Sequence, residues 1–90
     1  MKINLKSNFD IGIFEMEFSQ SRVTLRDVIQ KLSQRQQGLG VIKESNPMEI
    51  DAGFDVRVNG RDYVFLPQRL DSTLKDGDQV EVSVSALGGG

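Results

Sequence analysis

A chain of 90 residues with 38% hydrophobic and 27% charged side chains has the size and composition of one small globular domain, which excludes a multidomain enzyme. It contains no cysteine and no histidine, which excludes disulfides, zinc fingers and active sites built on a thiolate or an imidazole. The formal net charge of −2 provides no positive field for nucleic acid. No apolar run approaches the roughly 20 residues of a membrane span, and the first residues do not resemble a signal peptide. We therefore expect a cytoplasmic protein that binds neither nucleic acid nor a membrane.

Two strands are predicted near the amino end. Ile3 and Leu5 alternate with polar residues, the period-two pattern of a strand with one buried face. After a turn, Phe14, Met16 and Phe18 alternate in the same way. The two segments are expected to pair as an antiparallel hairpin.

The clearest predicted element is a helix over about 24–37. Thr24 is placed to cap its first amides, and Asp27 occupies the capping-box position three residues later. Val23 and Val28 occupy the two positions of a hydrophobic staple. An apolar stripe with the spacing i, i+3, i+4 and i+7 is expected to pack against the rest of the domain: Leu25, Val28, Ile29 and Leu32.

The second half of the chain is predicted to begin with an irregular connection, since residues 39–54 show no sustained period. Val56 and Val58 then lead into Asn59-Gly60, the strongest two-residue hairpin signal. Residues 63–66 are expected to return as a strand, and the sequence leaves open which of their side chains face inward.

A last strand is predicted after the turn Asp76-Gly77-Asp78, where Val80, Val82 and Val84 alternate with polar residues. The order of elements predicts an α+β fold, a mixed four- or five-stranded sheet with one main helix packed across one face. The first and last strands are expected to lie side by side and parallel in the middle. Residues 1–85 would then form the domain, and residues 86–90 a flexible tail that leaves it.

No set of side chains indicates a catalytic or metal site. Asp76 and Asp78 lack the further oxygen ligands of a calcium loop and are interpreted as a turn, and Glu15 and Glu17 as the exposed face of a strand. Gly38-Leu39-Gly40 follows a helix, not a strand, so a helix stop is favoured over a phosphate loop. The most basic local set is interpreted as a solvated helix face: Arg22, Arg26, Lys31 and Arg35. We expect no metal site and no bound cofactor.

The remaining candidate is the tail, which ends in Gly88-Gly89-Gly90. Beyond Val84, six residues can extend about 20 Å at roughly 3.3 Å each. Glycines have no β-carbons and can thread a channel too narrow for side chains. The group presented is the terminal carboxylate, which sulfur or amine donors can attack once reaction with ATP has made it an acyl-adenylate. The catalytic machinery, and the ATP that it uses, would belong to a partner. A tail without function is the alternative.

Three segments, in this order, resemble the ubiquitin-like β-grasp sulfur carriers. They are Val58-Asn59-Gly60, Thr73-Leu74-Lys75-Asp76-Gly77-Asp78-Gln79-Val80 and Gly89-Gly90. That family includes the small subunit of molybdopterin synthase and the carrier of the thiamine pathway. The resemblance implies the ubiquitin-like β-grasp fold and a carrier that is not itself an enzyme.

In the family, a ubiquitin-activating-type enzyme adenylates the last glycine, which becomes a thiocarboxylate and donates sulfur. The resemblance therefore implies that Gly90 carries the activated carboxyl and that Gly89 completes the diglycine. Gly88 is an additional glycine that departs from the family pattern. The long stretch 39–54 favours the molybdopterin or tungstopterin pathway, with the large subunit of molybdopterin synthase or an equivalent acceptor as partner. The thiamine pathway, a lysine-conjugated protein modifier and a plain interaction domain are the alternatives.

Leu87 is expected at the outward parity of the last strand, beside the glycines. It has two interpretations. One is an ordinary surface leucine, and the other is an apolar anchor for the activating enzyme.

Overall fold

A computed structural model of the chain describes residues 1–7, 13–35, 40–43, 45–46 and 49–84. In chain order, the described elements are β1 (Lys2–Ser7), β2 (Ile13–Glu17), β3 (Val23–Thr24), α1 (Leu25–Arg35), β4 (Phe54–Val58), β5 (Arg61–Asp62), two 3₁₀ turns (Tyr63–Phe65 and Arg69–Asp71), β6 (Thr73–Leu74) and β7 (Gln79–Val84). In these ranges, no helix has the length and apolar character needed to cross a bilayer.

The main sheet has five strands in the order β2-β1-β7-β4-β5. β1 pairs with β2 antiparallel, so the predicted amino-terminal hairpin is confirmed. β1 and β7 are parallel neighbours, with Leu5 opposite Val80. β4 pairs antiparallel with β7 on its other side. The α+β fold, with the first and last strands side by side near the middle, is therefore confirmed.

The core lies between one face of this sheet and α1. The strand residues that point into it are fully or almost fully buried: Ile3, Leu5, Val56, Val58, Val80 and Val82. The helix contributes the predicted stripe, Leu25, Val28, Ile29 and Leu32, all fully buried. Because the alternation of period two and the stripe of period 3.6 meet on the same interior, local pattern and tertiary packing agree.

The helix starts as the capping chemistry predicts. The Thr24 amide donates to Oδ2 of Asp27 at 2.9 Å, and the Asp27 amide donates to Oγ1 of Thr24 at 3.2 Å. This reciprocal pair satisfies two amides that the first helical turn leaves free. The staple residues Val23 and Val28 are both buried. The predicted helix stop around Gly38 lies outside the described residues.

The hairpin at Asn59-Gly60 is confirmed, and its returning strand is shorter than expected. Asn59 and Gly60 have φ values of 52° and 85°, as the favoured tight hairpin turn requires. β5 then contains only Arg61 and Asp62. The predicted strand over 63–66 is wrong, because residues 63–65 form a 3₁₀ turn.

Two hydrogen bonds account for this 3₁₀ turn. Oδ1 of Asp62 accepts from the Val64 amide at 3.1 Å, and the Tyr63 hydroxyl accepts from the Ile50 amide at 3.0 Å. Tyr63 and Leu66 pack partly buried against the core, while the exposed pair is Val64 and Phe65, at 42% and 72%. The two side chains that face inward thus come from opposite ends of the run and not from alternate positions.

Two small pairings were not predicted. In the stretch 39–54, Ile42 and Ile50 form an antiparallel bridge, and the Asp51 amide donates to the Val41 carbonyl at 2.7 Å. Val41 and Ile50 are buried, so this connection, which has no helix or strand among its described residues before Phe54, still contributes to the core. β3 and β6 form a separate two-stranded sheet, which holds the entry to α1 against the segment that precedes β7.

Candidate functional site: the carboxyl end of the central strand

The candidate site lies at the carboxyl end of β7, the central strand of the main sheet. This strand is paired along both edges, with β1 on one side and β4 on the other. Val84, its last residue, lies opposite Phe54 at the start of β4. Val84 has the same parity as the buried Val80 and Val82, yet its side chain is 46% exposed because the core ends at this edge. The end of β7 therefore presents an apolar surface, to which Phe54 adds a partly buried side chain.

The residues that the sequence predicts to take part in the chemistry follow Val84 in the chain. Leu87, Gly88, Gly89 and Gly90 lie outside the described residues, as does the domain boundary at residue 85. Their roles remain predictions. The structure contributes the rigid strand to which they are attached, whose inner valines are fixed in the core.

The aspartates that were considered as a metal pair, Asp76 and Asp78, directly precede β7 at its opposite end. Oδ2 of Asp78 accepts from the Lys75 amide at 2.8 Å, and Oδ1 accepts from the Asn59 side-chain amide at 3.1 Å. Oδ1 of Asp76 accepts from the Lys2 amide at 2.7 Å. Gly77 has a φ of 88°, a conformation that glycine adopts without strain. The turn interpretation is confirmed, since both carboxylates bind main-chain amides.

The other carboxylates and cations that the sequence singled out also have structural contacts. Glu15 lies 3.9 Å from the Lys2 ammonium, and both side chains are more than half exposed, as expected for a solvated strand face. The Lys31 ammonium donates to the Glu17 carbonyl at 2.7 Å and lies 4.5 Å above the Phe18 ring. Among the described residues, no group of three or more potential ligands is placed to hold a metal ion.

Arg26 departs from the prediction of a solvated helix face. Its Nε donates to Oδ1 of Asp71 at 3.0 Å, and its side chain is only 20% exposed. This pair ties α1 to the second 3₁₀ turn. Arg22, Lys31 and Arg35 are exposed, as the sequence predicts.

An open groove of about 680 Å³ near the start of β7 was not predicted from the sequence. Its lining comes from the β4–β5 hairpin, from the loop around Pro67 and from β6 with Lys75. No local pattern joins three segments so far apart along the chain. The available signals were two cations next to predicted turns: Arg61 directly follows Asn59-Gly60, and Lys75 directly precedes Asp76-Gly77-Asp78.

A family model described as the ThiS family matches residues 13–90, most of the chain. The chain belongs to the ThiS family. Its members are ubiquitin-like sulfur carriers, so the resemblance found in the sequence is confirmed. The search of curated proteins gave no match for this ThiS-family chain.

Solved structures agree with the fold. SAMP1 from Haloferax volcanii superposes with a TM-score of 0.73 at 15% identity, covering 96% of this chain and 97% of that one. A protein assigned as subunit 1 of molybdopterin converting factor, from Pyrococcus furiosus, gives 0.66 at 23% identity, with 94% and 98% covered. The BexX/CysO complex from Amycolatopsis orientalis contains a chain that gives 0.66 at 19% identity, with 93% and 96% covered. At these identities the ThiS-family chain shares the ubiquitin-like β-grasp fold with all three.

Proposed function

We propose that the ThiS-family chain carries sulfur as a thiocarboxylate on Gly90 and donates it in molybdopterin biosynthesis. The observation that carries the proposal is the family match, which extends through residue 90 and so includes the glycines of the tail. The similar Pyrococcus furiosus protein, assigned to molybdopterin converting factor, supports the choice of this pathway.

The chemistry requires only the carboxylate from this chain. A carboxylate oxygen of Gly90 attacks the α-phosphorus of ATP, pyrophosphate leaves, and the carboxyl becomes an acyl-adenylate. A hydrosulfide ion delivered by the partner then attacks the acyl carbon, AMP leaves, and loss of the proton from sulfur gives the thiocarboxylate. Covalent activation of this kind divides one difficult substitution into two easier steps. ATP is bound by the adenylating partner and not by the carrier.

The shape of the chain suits transfer between two proteins. β7 is held on both edges, while Gly88, Gly89 and Gly90 place no side chain around the reacting carbon. A partner can therefore enclose the terminus in a narrow channel and dock on the apolar surface at Val84. We assign Leu87 as one of the residues that contact the partner at this surface. The similar chain in the BexX/CysO structure belongs to a complex, which supports the expectation of a partner protein.

Mass spectrometry of the purified protein tests the proposal. The chain is incubated with its adenylating enzyme, ATP and a sulfur donor, and the intact mass is compared with that of a control without ATP. We expect one oxygen to be replaced by sulfur. An unchanged mass, with an enzyme that demonstrably releases pyrophosphate in the presence of the chain, would contradict the proposal.

The choice of pathway is tested with the charged protein. The thiocarboxylate form is mixed with the large subunit of molybdopterin synthase and its precursor, and separately with thiazole synthase and its substrates. We expect sulfur transfer only in the first reaction. Transfer only to thiazole synthase would assign the thiamine pathway, and covalent conjugates with lysines in cell extract would assign a protein modifier.

A further inference from the structure

The groove near the start of β7 lies at the end of that strand opposite to Val84. Its floor is apolar and includes the buried Val58 and Leu74 with the half-buried Leu66. Its volume of about 680 Å³ falls in the range of roughly 300 to 1,000 Å³ typical of binding sites. Because the groove is open to solvent and not an enclosed cavity, an exposed chain segment fits it better than an enclosed small molecule.

One wall of the groove has an unused strand edge. Along the β3–β6 ladder the Leu25 amide donates to the Ser72 carbonyl at 3.1 Å, and the next pair is Thr24 with Thr73. In antiparallel ladders, bonded and non-bonded pairs alternate. The amide and carbonyl of Thr73 therefore point away from β3, toward the free edge of β6. Neither group has a hydrogen-bond partner among the residues described.

Two cations flank this edge. Arg61 and Lys75 both line the groove, and both are exposed. Neither forms an ion pair with any carboxylate in the described ranges. Asp78 also lines the groove, but its two oxygens already accept from the Lys75 amide and the Asn59 side chain. Asp78 keeps its negative charge, so the lining carries two cations and one carboxylate, a local excess of positive charge on a chain whose net charge is −2.

We propose that this groove binds an extended acidic peptide segment of a partner protein. The main chain of the segment adds to the free edge of β6 through the amide and carbonyl of Thr73. Its apolar side chains cover Leu66 and Leu74, and its carboxylates pair with Arg61 and Lys75. Strand addition supplies affinity through main-chain hydrogen bonds, and alternate side chains supply specificity.

The groove lies far enough from the end of β7 for both surfaces to bind at once. Val58 and Asp78 lie beside the start of β7, and the strand ends at Val84, about 17 Å from its first residue at roughly 3.3 Å per residue. A partner held by the groove leaves the apolar surface at Val84 uncovered. The two surfaces can be occupied at the same time.

A titration followed by amide NMR tests the proposal. The probe is the acetylated pentapeptide Val-Glu-Val-Glu-Val. Its matched control is Val-Lys-Val-Lys-Val, with lysine in place of each glutamate. We expect the acidic probe to shift the amides of Arg61, Thr73 and Leu74, and the basic probe to leave them unchanged. N-methylation of the central valine should weaken binding by about three- to tenfold, through loss of a main-chain hydrogen bond.

Matched variants test the role of the cations. Arg61→Gln and Lys75→Gln should each weaken binding of the acidic probe by about two- to fivefold, the range of exposed ion pairs. Arg57→Gln removes the same charge one strand position away, on the opposite face of the sheet. It should change the affinity by less than twofold.

Several outcomes would overturn the proposal. One is equal affinity for the acidic and basic probes, and another is chemical shift changes centred on Val84. The others are an Arg57→Gln variant that binds the acidic probe as weakly as Arg61→Gln does, and the absence of shift changes with either probe. All titrations are repeated on a chain that lacks Gly89 and Gly90. Because that chain cannot carry sulfur, unchanged binding there separates the groove from the proposed carrier function.

Discussion

The two ends of β7 differ in what they present to a partner. At its start, polar side chains from distant parts of the chain meet: Asp76 binds the main chain of β1, and Asp78 binds the side chain of Asn59. At its end, Val84 and Phe54 leave an apolar edge. The polar end thus serves the fold. At the apolar end, where β7 finishes at Val84, neither Val84 nor Phe54 has an ionisable side chain.

This difference also explains the family resemblance. Asn59 and Asp78 belong to the two internal segments that carry it, and in the structure these segments are hydrogen-bonded to each other. The Asn59 side chain donates to Asp78 and accepts from the Gln79 amide at 3.0 Å. The motif therefore encodes a junction between the β4–β5 hairpin and β7. Of the three segments, only the terminal glycines are proposed to take part in the chemistry.

Deletion of Gly89 and Gly90 should have the largest effect on activity and almost none on the fold. We expect loss of thiocarboxylate formation, because the terminal carboxyl then belongs to Gly88 and lies two residues, about 7 Å, short of the position that Gly90 reaches. The free energy of unfolding should change by less than about 0.5 kcal/mol, as for substitutions away from buried contacts. Mass spectrometry and urea denaturation measure the two effects. A truncated chain that still gains sulfur would refute the role of Gly90.

Substitution of valines along β7 should separate the strand's interior from its end. Val80→Ala removes two methyl groups from a fully buried position and should cost about 2 kcal/mol of unfolding free energy. Val84→Ala is the matched control at 46% exposure, and should cost less than about 1 kcal/mol. Urea denaturation of both variants checks this. Equal losses would show that the core continues to the end of the strand.

Removal of the carboxylate at the start of β7 should be measurably destabilising. Asp78→Ala leaves the Lys75 amide and the Asn59 side chain without their acceptor, at a cost of about 1 to 2 kcal/mol. Asp55→Ala removes an exposed carboxylate that has no ion pair in the described part of the chain. It should change the unfolding free energy by less than about 0.5 kcal/mol. Thermal unfolding of the pair provides the comparison.

The smallest effect is expected on the open face of the sheet. The Lys6 ammonium lies 3.8 Å from Oε2 of Glu81, and both side chains are partly exposed. Glu81→Gln should therefore cost no more than about 0.5 kcal/mol at low salt, and salt should remove the difference through screening. A larger loss that persists in high salt would indicate a packing role for Glu81.

The parts of the fold that the sequence predicted correctly depend on short-range rules. The capping box of Thr24 and Asp27 needs only a spacing of three residues. The alternation of Val80 and Val82 needs only a period of two. The parallel pairing of β1 and β7 followed from the order of elements, since a single helix must cover one sheet.

The parts that were missed depend on partners distant in the chain. Residues 63–66 have the composition of a strand, but the hydroxyl of Tyr63 binds the amide of Ile50, thirteen residues earlier. Val41 and Ile50 are buried together without any period between them. The groove was missed for the same reason, because Arg61 and Lys75 become neighbours only through the fold.

The central claim is that the chain reacts through its own carboxyl terminus. The most direct measurement is fragmentation of the charged protein in a mass spectrometer, with the added sulfur assigned to a residue. We predict that every fragment containing Gly90 carries the sulfur and that fragments lacking it do not. Sulfur on any other residue, or its absence after demonstrated adenylation of the chain, would contradict the claim.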